Sequence, residues 1–177
     1  MKRFNCMRPQ DVVVLLKKIS PAGYQMNGKQ LADSLGISPS EVSEAMNRNQ
    51  VAGLVDKEKK NINTLALREF VVNGLKYCFP AELGPVVRGV PTASSCEPFS
   101  RMVAQGSDVY VWISPAGTVR GQEVPSLYGT VPEAALKDND FHILMAIVDV
   151  LRIGRARERE MAISELDKYL DAYAARS

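Results

Sequence analysis

Residues 30–46, QLADSLGISPSEVSEAM, contain the signals for two short helices separated by a tight turn. Gly36 ends the first helix, because glycine readily adopts the left-handed conformation found at helix C-termini. Ser38 and Glu41 begin the second helix as a capping box, and a proline stands at its first position. The apolar residues fall on one face of each helix: Leu31, Ala32 and Leu35, then Val42, Ala45 and Met46. The segment therefore predicts two helices that pack together across a glycine turn.

The sequence on either side of this segment contains further signals for helices and for a short strand. Before it, apolar residues at helical spacing predict a helix from about Pro9 to Ile19, and Asn27 can cap the next one. After it, the signals are a stop at Gly53, a short strand at Leu54-Val55, a charged turn over residues 56–61, a return at Ile62 and a fourth helix up to Tyr77. Residues 1–77 therefore read as one helix-rich domain with a small β component.

On these residues, 10–77 resemble the winged helix-turn-helix domain of bacterial transcription regulators of the MarR/ArsR type. The resemblance rests on residues 30–46, on Ala52-Gly-Leu-Val-Asp and on the charged turn that follows. It implies that the third helix, about residues 39–52, lies in the major groove and that the hairpin wing lies against the DNA backbone. The wing is short and offers lysines in place of the arginine that many such regulators carry at its tip.

The outward face of the third helix carries side chains that can read base edges. With its apolar residues turned inward, this helix is expected to present Ser40, Ser43, Glu44, Asn47 and Arg48 outward. Phosphate contacts are expected at the edges of the site from Lys29, Ser38, Lys57, Lys59 and Lys60. The alternative interpretation is an ordinary solvated face, because any surface helix shows polar residues. Residues 1–76 carry 12 Lys and Arg against 7 Asp and Glu, which permits an anionic partner.

The rest of the chain, residues 78–177, divides into a connector and a helical part. Residues 78–135 hold 7 of the 10 prolines and 6 of the 12 glycines, which indicates turns and short strands. Within them, residues 108–113 and 118–120 predict a β-hairpin around the turn at 114–117. Residues 136–177 predict two helices, the first of them buried. The fold class expected for the whole chain is mainly α with a small β component.

The last helix carries an apolar stripe made of Ile163, Leu166, Leu170 and Tyr173. One short helix can cover such a stripe only by packing on another surface, and a homodimer would supply it. The preceding helix of the same chain, about Phe141–Ile153, is the alternative cover. The helical part 136–177 is therefore expected to serve in dimerisation or partner binding.

The functional hypothesis is a sequence-specific regulator that binds double-stranded DNA as a homodimer and acts as a repressor. The alternative is a protein-interaction module, such as an antitoxin or a defence-system adaptor, that binds a protein encoded nearby and autoregulates its operon. In that case residues 78–135 would bind the partner. DNA affinity, measured alone and with a co-purifying protein, separates the two hypotheses.

Enzymatic, metal-dependent and membrane functions are not expected from this composition. The three cysteines, Cys6, Cys78 and Cys96, are widely spaced, and His142 is the only histidine, so neither a metal pattern nor a catalytic arrangement is visible. No cofactor is predicted. The longest apolar runs are too short to cross a bilayer and no export signal is visible, so a cytoplasmic location is expected.

Overall fold

Three helices at the start of the chain begin and end where their capping residues predict. In the computed structural model, which describes residues 6–102 and 108–177, these are α1 (Pro9–Ile19), α2 (Gly28–Leu35) and α3 (Pro39–Val51). Both predicted capping boxes are present, at Asn27 for α2 and at Ser38 for α3. Gly36 ends α2 with φ of 65°, in the left-handed region that glycine tolerates best. The local signals therefore determine both helices and the turn between them.

A small turn and a long helix follow α3. Val55 and Ile62 form a single antiparallel bridge, and the Asp56 carboxylate accepts the backbone amides of Lys60 (2.8 Å) and Asn61 (3.2 Å) inside the turn. The next helix, called helix 64–78 below, consists of α4 (Thr64–Glu69), a π-helical turn (Phe70–Gly74) and α5 (Leu75–Cys78).

The middle of the chain forms a three-stranded sheet, and the predicted hairpin is wrong. Its elements are β1 (Val86–Pro91), a 3₁₀ turn (Ala93–Ser95), α6 (Phe99–Met102), β2 (Tyr110–Ile113) and β3 (Val119–Glu123). β1 pairs antiparallel with both other strands, which pair with each other in parallel and close the sheet. Gly89 lies opposite both Ile113 and Val119. β2 and β3 were expected to pair antiparallel with each other, but the antiparallel partner of each is β1.

The turn between β2 and β3 approaches the backbone of β1 so closely that position 117 requires a glycine. A Cβ on Gly117 would lie 2.1 Å from the carbonyl carbon of Gly89, well inside contact distance. The turn after β2 therefore passes directly over β1, and β3 returns antiparallel to β1 and parallel to β2, whereas a hairpin would place it antiparallel to β2.

The last three helices complete a shared core. They are α7 (Val131–Ala135), α8 (Asn139–Ile153) and α9 (Ala156–Ala174). α8 is buried over most of its circumference and contacts α1, α7 and α9. One continuous set of buried apolar residues extends from Val12 in α1 to Tyr173 in α9, so the first and last stretches of the chain share a single core. The fold is mixed α and β, about 56% helical with one small sheet.

The apolar stripe on α9 is covered by the chain itself. Leu166, Leu170 and Tyr173 are buried and Ile163 is half-buried. The Tyr173 hydroxyl accepts the backbone amide of Ile62 at 3.2 Å, and its ring meets the edge of the Tyr24 ring with centroids 5.5 Å apart. The expectation that this stripe is free to hold a second copy is therefore wrong, because α8 and the N-terminal helices occupy it.

Candidate nucleic-acid interface

α3 separates its inner and outer faces largely as the sequence predicts. Val42, Ala45 and Met46 are buried. The exposed face carries four of the expected base-reading residues: Ser40, Ser43, Glu44 and Asn47. A helix of 13 residues is about 20 Å long at 1.5 Å per residue, long enough to follow a major groove about 12 Å wide.

Arg48 is a correction to this set, because its side chain points inward. It is only 4% exposed and donates through Nε to Oδ2 of Asp11 (2.8 Å) and through one terminal nitrogen to Oδ1 (2.7 Å). Asp11, in the first turn of α1, is fully buried. This fork-to-fork geometry is the strongest form of a carboxylate–guanidinium pair. Arg48 therefore holds α3 against α1 and is not available to read a base.

Asn49 adds a second polar link at the same place. Its side-chain nitrogen donates to the backbone carbonyl of Asp11 at 3.0 Å, and the residue is fully buried. With Arg48, it fixes both the distance and the rotation of α3 relative to α1. The outer face of α3 is thus presented by a rigid support, as a reading surface requires.

Ser38, an expected phosphate contact, is engaged inside the chain. Its backbone amide and its hydroxyl both donate to the Glu41 carboxylate, at 2.8 and 2.9 Å. These two hydrogen bonds hold the pKa of Glu41 below its usual value, and the one from the Ser38 backbone has the larger effect. The carboxylate is therefore charged at neutral pH. Because an anion already occupies the N-terminus of α3, a phosphate is not expected to bind at Ser38.

The lysines of the 56–61 turn lie beside the C-terminal half of α3. Lys59 contacts the side-chain oxygen of Asn47, and the Gln50 side chain donates to the Lys57 carbonyl at 2.9 Å. Lys60 is exposed and pairs with Glu58 at 2.7 Å, an arrangement worth little in solvent. Lys29, in α2, is also exposed. The face therefore offers lysines at its edges and hydroxyl and amide groups at its centre.

Acidic residues reduce the field of this face. Glu44 on α3 and Glu58 in the turn are exposed among the lysines, and Asp56 is half-buried beneath them. The electrostatic attraction of this face for a phosphate backbone is consequently modest. Binding to DNA would depend on directed hydrogen bonds and on how many copies of the chain bind side by side.

A buried polar cluster between α8 and the sheet was not predicted. The Asp149 carboxylate accepts Trp112 Nε1 (2.6 Å), Thr92 Oγ1 (2.8 Å) and an Arg152 terminal nitrogen (2.8 Å). Trp112 is buried in the core. His142 contacts the Pro91 carbonyl at 2.7 Å, and burial lowers the pKa of this imidazole. These groups join secondary structure elements to one another.

The cysteines do not gather into a site. Cys6 and Cys78 are exposed, and Cys96 is buried. Burial raises the pKa of the Cys96 thiol to about 12, so it stays protonated and unreactive. Within residues 6–102 and 108–177, no three His, Cys, Asp or Glu side chains are grouped so that they could hold a metal ion.

Comparison with protein-family models, with curated proteins and with solved structures finds no match for this chain. Among the helices that the structure describes, none combines the length and the apolar character needed to span a membrane.

Proposed function

We propose that this protein is a sequence-specific DNA-binding regulator that reads the major groove with the outer face of α3. The observation that carries the proposal is the docking of α3 on α1 through the Arg48–Asp11 pair, which leaves a polar face turned outward on a rigid base. The proposal assigns the α2–Gly36–α3 unit and the 56–61 turn to a winged helix-turn-helix with a minimal wing.

Each exposed side chain has a role in this proposal. Asn47 pairs with an adenine edge, while Ser40 and Ser43 contact bases or phosphates. Glu44 accepts from a cytosine amino group. Lys29, Lys57, Lys59 and Lys60 neutralise phosphates on either side of the helix. Repression is the expected outcome, because a regulator bound at a promoter excludes polymerase without needing a further contact surface.

The affinity for duplex DNA should fall as the salt concentration rises, with a slope set by the number of lysines that contact phosphates. Three or four phosphate contacts give a slope of about −2.7 to −3.6 in log K against log salt, at ~0.9 per contact. Selection from genomic fragments, followed by gel shifts at several salt concentrations, measures both affinity and slope. If no fragment is enriched even at low salt, the regulator hypothesis is wrong.

Asn47→Ala should weaken binding to the selected site by about 1–3 kcal/mol, or roughly 5- to 150-fold, since one base-reading pair is lost. The same variant should bind non-specific DNA nearly as wild type does. Lys57→Ala is the matched control, because a phosphate contact lowers affinity for all sequences about equally. Equal losses on specific and non-specific DNA for Asn47→Ala would show that α3 does not read bases.

The sheet favours a second candidate function, a protein-interaction module. Val86, Val109 and Ile113 expose apolar side chains on or beside β1 and β2, with Ile113 59% exposed. A partner protein covering these residues would make the chain an antitoxin-like or adaptor protein. Ile113→Asp distinguishes the two functions: it should disrupt a complex formed through the sheet and leave DNA affinity unchanged.

A further inference from the structure

Helix 64–78 exposes a line of four side chains that the DNA-binding proposal does not use. These are Leu65, Glu69, Asn73 and Tyr77, all exposed. The two apolar members are among the most exposed in the described chain, with Leu65 79% and Tyr77 75% accessible. Leu65 and Tyr77 are therefore open to contact with another surface, one near each end of this helix.

The π-helical turn aligns these four residues. In a regular α-helix, positions four apart drift by about 40° per step, so Leu65 and Tyr77 would point about 120° apart. The turn at Phe70–Gly74 contains more residues than an α-helical turn, which reverses the drift between Glu69 and Asn73. As a result the four residues are expected to lie closer to one line than in a regular α-helix, and they are called the ridge below; π turns of this kind occur frequently at functional sites.

The order of side chains along the ridge is complementary to itself. If two copies are related by a two-fold axis near position 71, the helices run antiparallel. Leu65 then meets Tyr77 of the second copy, and Glu69 meets Asn73 of the second copy. The carboxylate accepts from the amide on both sides of the axis, no like charges are opposed, and the apolar pairs lie at both ends.

Grooves on both flanks of the ridge give the facing side chains room. One, of about 500 Å³, is lined on this helix by Ala66, Phe70 and Gly74 and by the ridge residues Glu69 and Asn73. The other, of about 270 Å³, lies between Leu65 and Arg68 on this helix and Asp167 on α9. Large side chains from a second copy can enter these grooves as anchors, which is how helix interfaces obtain most of their binding energy.

We propose that the ridge Leu65–Glu69–Asn73–Tyr77 is a homodimer interface formed by antiparallel contact with a second copy of this chain. The proposal does not depend on DNA binding. It places dimerisation on helix 64–78, in contrast to the covered stripe on α9.

Sedimentation equilibrium of the full chain tests the interface, from low micromolar to about 100 µM. We expect a dimer in this range. Leu65→Glu and Tyr77→Glu should each raise the dimer dissociation constant by about tenfold or more, since each places a charge against an apolar partner. Leu136→Glu is the control, because Leu136 is 52% exposed at the end of α7 and receives the same charge. It should leave the dimer unchanged.

A charge exchange tests the antiparallel register. Asn73→Glu sets two carboxylates opposite each other and should weaken the dimer, while Glu69→Lys together with Asn73→Glu should restore it. A full-length chain that stays monomeric at about 100 µM overturns the proposal, as does a dimer that resists both ridge variants. Failure of the double variant to restore a dimer that Leu65→Glu dissociates would refute the antiparallel pairing. DNA binding is measured separately, so neither result decides the other.

Discussion

Replacing Arg48 with methionine should lower the free energy of unfolding by about 3–5 kcal/mol, because the Asp11 carboxylate is then buried without its partner. Methionine has similar length and keeps most of the packing, so the loss reports on the charge. Urea denaturation followed by circular dichroism measures the effect. This variant should not be interpreted as a DNA-contact variant, since the guanidinium lies under α3 and not on its exposed face.

Two further variants separate pairing from packing at this position. Asp11→Leu combined with Arg48→Met should recover most of the lost stability, because buried ion pairs can often be replaced by apolar residues of similar volume. Arg157→Met is the exposed control and should change stability by no more than about 0.5 kcal/mol. If Arg48→Met is as stable as wild type, the buried pair does not hold α3 in place.

Asp149→Ala should also cost about 3–5 kcal/mol, because it removes the acceptor that serves Trp112, Thr92 and Arg152 together. Asp149→Asn keeps one acceptor oxygen and should cost less, about 1–3 kcal/mol. Trp112 is the only tryptophan, so its fluorescence reports on this cluster directly during unfolding. A loss under about 1 kcal/mol for Asp149→Ala would show that the cluster contributes little to the core.

Helix caps and helix faces could be predicted from the sequence because each depends on residues only a few positions apart. The capping boxes at Asn27 and Ser38, the left-handed Gly36 and the inner faces of α2 and α3 all follow from spacings of a few residues. Such motifs satisfy free backbone groups wherever the helix lies, so tertiary packing does not alter them.

The orientation of Arg48 depended on a residue 37 positions away. In the sequence it stands on the flank of α3 between polar and apolar positions, and either direction is compatible with the spacing. A signal was present in α1, where Val12–Leu16 are five consecutive apolar residues and indicate burial on all sides. A buried carboxylate in the first turn of such a helix calls for a cation as its partner. Arg48, one of the expected base-reading residues, could have been recognised as that cation.

The sheet and the α9 stripe failed as predictions for the same physical reason. Val86–Pro91 contains glycine and proline and lacks the alternation of a strand, so its pairing with β2 and β3 could not be seen locally. The stripe on α9 was correctly identified as needing cover, but its cover includes Tyr24 and Ile62, from the distant start of the chain. Hydrophobic pattern shows that a face is buried and leaves the partner undetermined.

The burial of α1 by α8 has a consequence for synthesis on the ribosome. Lys17 in α1 pairs with Asp138, at the start of α8, across 121 residues of sequence, at 2.6 Å and with both side chains nearly buried. α1 therefore has no native cover until α8 is translated, about 120 residues later. During elongation its apolar surface has no native cover, and the core can close only after α8 and α9 have emerged. The nascent chain should therefore acquire protease resistance in one step, once α8 and α9 have left the exit tunnel.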